Sequence, residues 1–176
     1  NGSSTGRFQA GMHLRRNTRL NCYNSVVAGW PIGLILDSEK GNTQKAATDG
    51  LLQLHRIVFA GTDLTGSDFN KVYKDELYDY KTKTTDPSKK SFSSTFFLLP
   101  ANGNKVVDQW VARSWQGIQS IIAASTSVGG ALQGSFAELQ SNNWFDKSAT
   151  FVGAFRDASD DWTAGWANFD PENTIY

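Results

Sequence analysis

At 176 residues the chain is long enough for one domain with a sizeable core and short for two. Its 17 basic and 17 acidic side chains cancel, which argues against an electrostatic binder of nucleic acid or of an anionic membrane surface, and no apolar run reaches membrane-spanning length. The single Cys22 excludes an internal disulfide and is expected to act as a small buried hydrophobe.

The chain opens Asn1-Gly2-Ser3-Ser4-Thr5-Gly6, with neither an initiator Met nor a signal peptide, so an upstream part is expected. Gly11-Met-His-Leu14 and Gly33-Leu-Ile-Leu36 then share the frame G-x-x-L at an offset of 22, from position 11 to position 33. Leu20 to Gly29, LNCYNSVVAG, and Leu52 to Gly61, LQLHRIVFAG, share Leu, Val, Ala and Gly in register at an offset of 32, from 20 to 52. Such periods suit a solenoid, with the polar stretch DSEKGNTQKAATD (37–49) as a loop inserted in the longer turn. Val26 should then lie beside Val58 and Ala28 beside Ala60. Gly29 and Gly61 would mark the corner, and Pro31 would begin the next strand. A β-sandwich in which the two strings recur by chance is the competing architecture.

Past Gly66 the character changes. DFNKVYKDELYDY (68–80) fits a short helix capped by Ser67 or Asp68, and KTKTTDPSKKS (81–91) a solvated loop. Residues 92–99 read as an apolar strand stopped by Pro100, with a turn at Ala101-Asn-Gly-Asn104. Val106, Val107, Trp110, Val111, Trp115, Ile118, Ile121 and Ile122 recur at helical spacing, predicting an amphipathic helix over 105–124 that lays Trp110 and Trp115 on the sheet, although Gly117 and the β-branched residues oppose it. From Gly129 the chain is turn-rich and ends in an aromatic segment. The organisation expected is one domain: β-helix coils over 1–68, an insertion of loops and short helices over 69–142, and a cap over 143–176.

Two groups of residues invite a functional interpretation. His13-Leu-Arg-Arg-Asn-Thr-Arg19 is the densest basic cluster, and strand alternation would put His13 and Arg15 on one face. A lyase of acidic sugars would use Arg15, Arg16 or Arg19 as a base with carboxylates holding calcium, yet Asp37, Glu39 and Asp49 fall in one loop and Asp63 and Asp68 in another. Solvated or ion-paired arginines are the simpler reading. Trp162, Trp166 and Phe169, flanked by Asp160, Asp161, Asn168 and Asp170, form the second group. They would either plug the end of a solenoid, the simpler reading, or stack on sugar rings while the polar neighbours take hydroxyl groups.

Other chemistries find no support. Asp63, Asp68, Asp75 and Glu76 miss the EF-hand spacing, His13 and His55 lack a zinc-binding frame, and neither a phosphate-binding loop nor a G-x-S-x-G elbow occurs. No cofactor, metal or catalytic residue is assigned.

The run GRFQAGMHLRRNTRLNCYNSVVAGWPIGLILD, with ATDGLLQLHRIVFAG and the ending FVGAF…DDWTAGWANFDPENTIY, resembles the C-terminal part of a group of Bacteroidota surface or secreted lipoproteins. These are held to be right-handed parallel β-helices and often carry the name multidrug transporter. The likeness spans nearly the whole chain, strongest at 6–61 and 143–176, and is weak over 71–130. It implies a mainly β, right-handed parallel β-helix with missing upstream coils, and a cell-surface, outer-membrane or extracellular location. It brings no catalytic residues, and a transporter role fails because nothing here spans a bilayer. The function expected is a non-enzymatic surface module that binds glycan or an outer-membrane partner through Trp162, Trp166, Phe169, Arg15, Arg16 and Arg19. A β-helix polysaccharide lyase or hydrolase, and a structural subunit of an outer-membrane complex that contacts the missing coils, are the alternatives.

Overall fold

In the computed structural model the described residues are 10–30, 32–62, 78–79, 84–85, 91–108, 118–169 and 171–175. The elements in chain order are β1 (Ala10–Arg15), β2 (Asn21–Tyr23), β3 (Val26–Ala28), β4 (Ile32–Asp37), α1 (Thr43–Thr48), β5 (Gln53–His55), β6 (Val58–Ala60), β7 (Tyr78–Asp79), β8 (Thr84–Thr85), α2 (Phe92–Phe97), β9 (Lys105–Val107) and α3 (Ile118–Gly129). Three small parallel sheets, β1-β4, β2-β5 and β3-β6-β9, carry the structure, beside an antiparallel β7-β8 pair.

The internal similarity in the sequence is visible as strand pairing. Met12 lies opposite Leu34 and Leu14 opposite Leu36, while Val26 meets Val58 and Ala28 meets Ala60. Gly29 and Gly61 both take left-handed conformations, φ 73 and 57, at the ends of their strands, where a side chain would be strained. Gly33 has a packing reason as well: a Cβ there would sit 2.9 Å from the ring of Phe59.

These pairings do not extend into right-handed parallel β-helix coils, and the expected solenoid is overturned. Among the described residues parallel pairing ends at two or three strands per sheet, and the result is a small mixed α/β structure. The physical cause lies in the groups that cover the outer edges of β4 and β5. The backbone N–H of Leu36 donates to Ser93 Oγ of α2 at 2.9 Å, so a helix covers β4 where another strand would have to pair. Asn104 accepts from Ile57 N–H through Oδ1 (2.8 Å) and donates from Nδ2 to Leu54 O (2.9 Å), closing the ladder beside β5 with a side chain. Among the described strands of this stack, β6 gains a third-row neighbour, with Phe59 opposite Val106 of β9.

The structure differs from several local expectations. Residues 92–97 form helix α2 rather than a strand, because Ser91 caps it by accepting from Ser94 N–H (3.2 Å) and Phe92 stacks on Phe96 one turn later. The helix expected over 105–124 is corrected at its start, where Lys105–Val107 joins β6 as β9; α3 spans Ile118–Gly129, and 109–117 lie outside the described residues. Helix α1 occupies part of the stretch expected to be a loop. Tyr78–Asp79 pairs as a strand where the end of a helix was expected; the rest of that expectation, Trp110, Trp115 and Pro31 lie outside the described residues. The turn at 101–104 is present as a short 3-10 segment, Pro100–Asn102, ended by Gly103 at φ 61.

Two apolar clusters hold these parts together. Leu34, Leu36, Leu52, Leu54, Ile57, Phe59 and Phe97 form the larger one, with Phe59 and Phe97 rings 4.4 Å apart. Val58, Ala60, Val128 and Val152 form the smaller, which anchors α3 and the C-terminal segment. Cys22 is half-buried at the edge of the first, its Sγ 3.4 Å from Ser25 Oγ.

Candidate functional site

The pairing of β1 with β4 decides the fate of the basic cluster. Arg15 lies opposite Asp37, and His13, two residues away on the same face, places Nε2 3.2 Å from Asp37 Oδ2. Arg15 Nε stands 3.6 Å from the same oxygen and its terminal nitrogen 4.0 Å from Glu39. Burial alone would raise the pKa of Asp37; the hydrogen bond with His13, the Glu39 N–H donated at 2.7 Å and the nearby positive charges outweigh it and hold the carboxyl below its usual value. Arg15 is therefore an ion-paired residue neutralising a buried carboxylate. Arg16, in a left-handed turn at φ 58, and Arg19 are exposed.

A second polar network was not anticipated in the sequence. Asn24 and Arg56, equivalent in the 32-residue offset, both adopt left-handed conformations at φ 48 and 53. From that corner Arg56 Nε donates to Asn24 Oδ1 (3.0 Å) and Ser135 O (2.9 Å), and its terminal nitrogens grip Glu138 at 2.9 and 2.5 Å. The Arg56 hydrogen bond holds Glu138 down at about 2, against the opposing effect of burial. His55 Nδ1 lies 3.6 Å from Glu138, and its ring stacks on Tyr23 with centroids 5.6 Å apart. Burial lowers the pKa of His55 despite that carboxylate. With the guanidinium and carboxylate engaged in each other, the network works as a latch that fastens residues 135–138 to the sheet corner. The separation of 82 residues between Arg56 and Glu138 left no local signal for it.

The aromatic group has a different character. With the solenoid overturned there is no coil end for the tryptophans to plug; the buried apolar residues here are Val152, which closes the smaller core cluster, and Phe155. Trp162 is 53% and Trp166 68% exposed, and Phe169 40%. Trp162 Nε1–H donates to Ala154 O (2.8 Å) and Trp166 Nε1–H to Trp162 O (2.9 Å). The two indoles stand 5.5 Å apart at a 31° tilt, with Phe155 backing Trp162 at 6.1 Å. Buried Thr163 anchors the turn by donating its hydroxyl to Asp161 Oδ1 at 2.6 Å, and Asp160 Oδ2 accepts from Arg156 N–H at 2.8 Å. Asn168 donates to Thr174 Oγ1 (2.9 Å), while Asp170 lies outside the described residues.

The structure thus brings Trp162 and Trp166 together and pairs Arg15 with acids. The ion pairs of Arg15 go to Asp37 and Glu39, and the cation–π contact among the described residues is that of Arg156 with Phe151. Among the described residues no cluster of three or more His, Cys, Asp or Glu side chains suits a metal ion, and no described helix is long and apolar enough to cross a membrane. Comparison with protein-family models, with curated proteins and with solved structures finds no match to this chain.

Proposed function

We propose that the chain is a non-catalytic binding module of the bacterial cell envelope that takes a glycan on the Trp162–Trp166 face. One observation carries this reading: two adjacent indoles, 53% and 68% exposed, whose N–H groups are already bonded to their own turn. What they present outward is ring surface held at fixed tilt, suited to the C–H faces of sugar rings. Large aromatics are rigid anchors in recognition, and leaving two in water is costly unless something covers them. Asp160 and Asp161 directly precede Trp162 in the chain, each with one carboxylate oxygen bonded within the turn, and carboxylates are the acceptors that sugar hydroxyls need. The envelope location is supported by the resemblance of 6–61 and 143–176 to Bacteroidota surface proteins. A catalytic use of the basic cluster has less behind it, since Arg15 is engaged with Asp37 and Glu39.

A glycan array probed with the intact chain, followed by calorimetric titration of the strongest binder, tests this. Combined Trp162→Ala and Trp166→Ala substitution should weaken binding at least about tenfold, as loss of stacked aromatic anchors does. An array without binders, or a double variant that binds as well as the parent, rejects the proposal.

A further inference from the structure

Resting on the glycan reading above, we infer that the Trp162–Trp166 face selects a neutral glycan and turns away uronate and sulfated chains. The whole sequence balances its charges, yet residues 151–176 set Arg156 alone against Asp157, Asp160, Asp161, Asp170 and Glu172. That arginine is directed elsewhere: its guanidinium lies over the ring of Phe151, 5.8 Å from the centroid. Arg15, the half-buried arginine of the basic cluster, pairs with Asp37 and Glu39 on β4 and the residues just after it.

Within residues 151–176 an acidic sugar laid on the indoles would find Arg156 as its one cation, already held over Phe151, and an unpaired charge is costly to desolvate. Recognition of carboxylate or sulfate calls for Arg or Lys in reach, and this turn offers carboxylates instead. A neutral sugar meets the same groups as partners, donating hydroxyls to Asp160 and Asp161 while its ring covers Trp162 or Trp166. An amino sugar would add only a solvent-screened pair with half-buried carboxylates.

The test is a titration of the intact chain with oligomers of glucan, mannan and xylan, of galacturonate and of glucosamine, at low and at physiological salt. The expected result is that a neutral oligomer binds at least about tenfold more tightly than the uronate and keeps its affinity across salt, as uncharged recognition should. Asp160→Asn with Asp161→Asn should raise the ratio of uronate to neutral binding by about threefold or more, through relief of like-charge repulsion. Uronate bound as tightly as the neutral chains, or glucosamine bound best with a steep salt dependence, overturns this inference and leaves the glycan reading standing. If no oligomer binds, or if binding survives loss of both tryptophans, the glycan reading falls and this inference with it.

Discussion

Residues 32–60 and residues 143–175 are built on opposite plans. In the first, all six residues of β4 and all three of β6 are buried, on both faces of their sheets, as parallel strands covered on two sides require. In the second, Val152, Phe155 and Thr163 are the buried residues among those described, and the largest side chains, Trp144, Trp162 and Trp166, face water. Stability is concentrated where β-branched and aromatic residues interlock. Surface for recognition is concentrated where hydrogen bonds within the turns, with Val152 and Phe155 as the buried apolar anchors, hold the chain. The Val58–Val152 cluster ties the second plan to the first, and the Arg56–Glu138 latch fastens the segment just before it.

Substitutions that separate the two regions should differ accordingly. The largest effect belongs to Phe59→Ala: the ring is fully buried, fills the space left by Gly33 and packs on Phe97, so its loss should cost about 3–5 kcal/mol in urea unfolding. Unfolding with an unchanged midpoint would mean that the Ile32–Ala60 region does not carry the stability assigned to it. Arg56→Ala should come next, at about 1–3 kcal/mol, because it leaves Asn24 and Glu138 without their shared donor. Amide exchange should then quicken at residues 135–138 more than in β4; equal acceleration in both would show that the latch is not local. Arg56→Lys should restore little, since a single ammonium cannot grip both carboxylate oxygens.

Acid should loosen the same junction. Glu138 titrates near 2 in the fold against an ordinary 4.5, so its contribution is fully present above 4.5 and is lost as pH falls toward 2. His55 is depressed as well, chiefly by burial. The unfolded chain takes up that proton first, and stability also declines as pH drops below the ordinary 6.5. Both effects have the same sign. Glu138→Gln should flatten the lower part of a stability-against-pH curve, and an unchanged slope below 4.5 would contradict the assignment. The smallest change in stability is expected at Trp166→Ala, within about 0.5 kcal/mol because the ring is mostly in water, even as glycan binding weakens. A large loss of stability there would make the tryptophan part of the core and erase the contrast between the regions.

The correspondence between Leu20–Gly29 and Leu52–Gly61 was legible because strand pairing depends on local spacing: a shared offset puts Val26 beside Val58 and corner glycines beside each other. The aromatic group at 162–169 was visible for the same reason, as a composition within a few residues. The helix at 92–97 shows where local pattern misled. An apolar run bounded by Pro100 suits either element, and the Ser91 cap with its Phe92–Phe96 pair tips it.

Other features depend on residues far apart in the chain. Ser93 and Asn104 end the parallel ladders by meeting Leu36, Leu54 and Ile57, so the extent of pairing rests on contacts no period contains. Arg56 finds Glu138 across 82 positions, and Val152 reaches the small cluster ahead of the tryptophans, leaving their rings in solvent. Strand register and corner glycines arise from chemistry repeated along the chain, since neighbouring backbone must satisfy its own hydrogen bonds. Which side chain caps a sheet, latches a corner or stays exposed is a competition for burial among distant segments, and that competition is resolved only when they pack together.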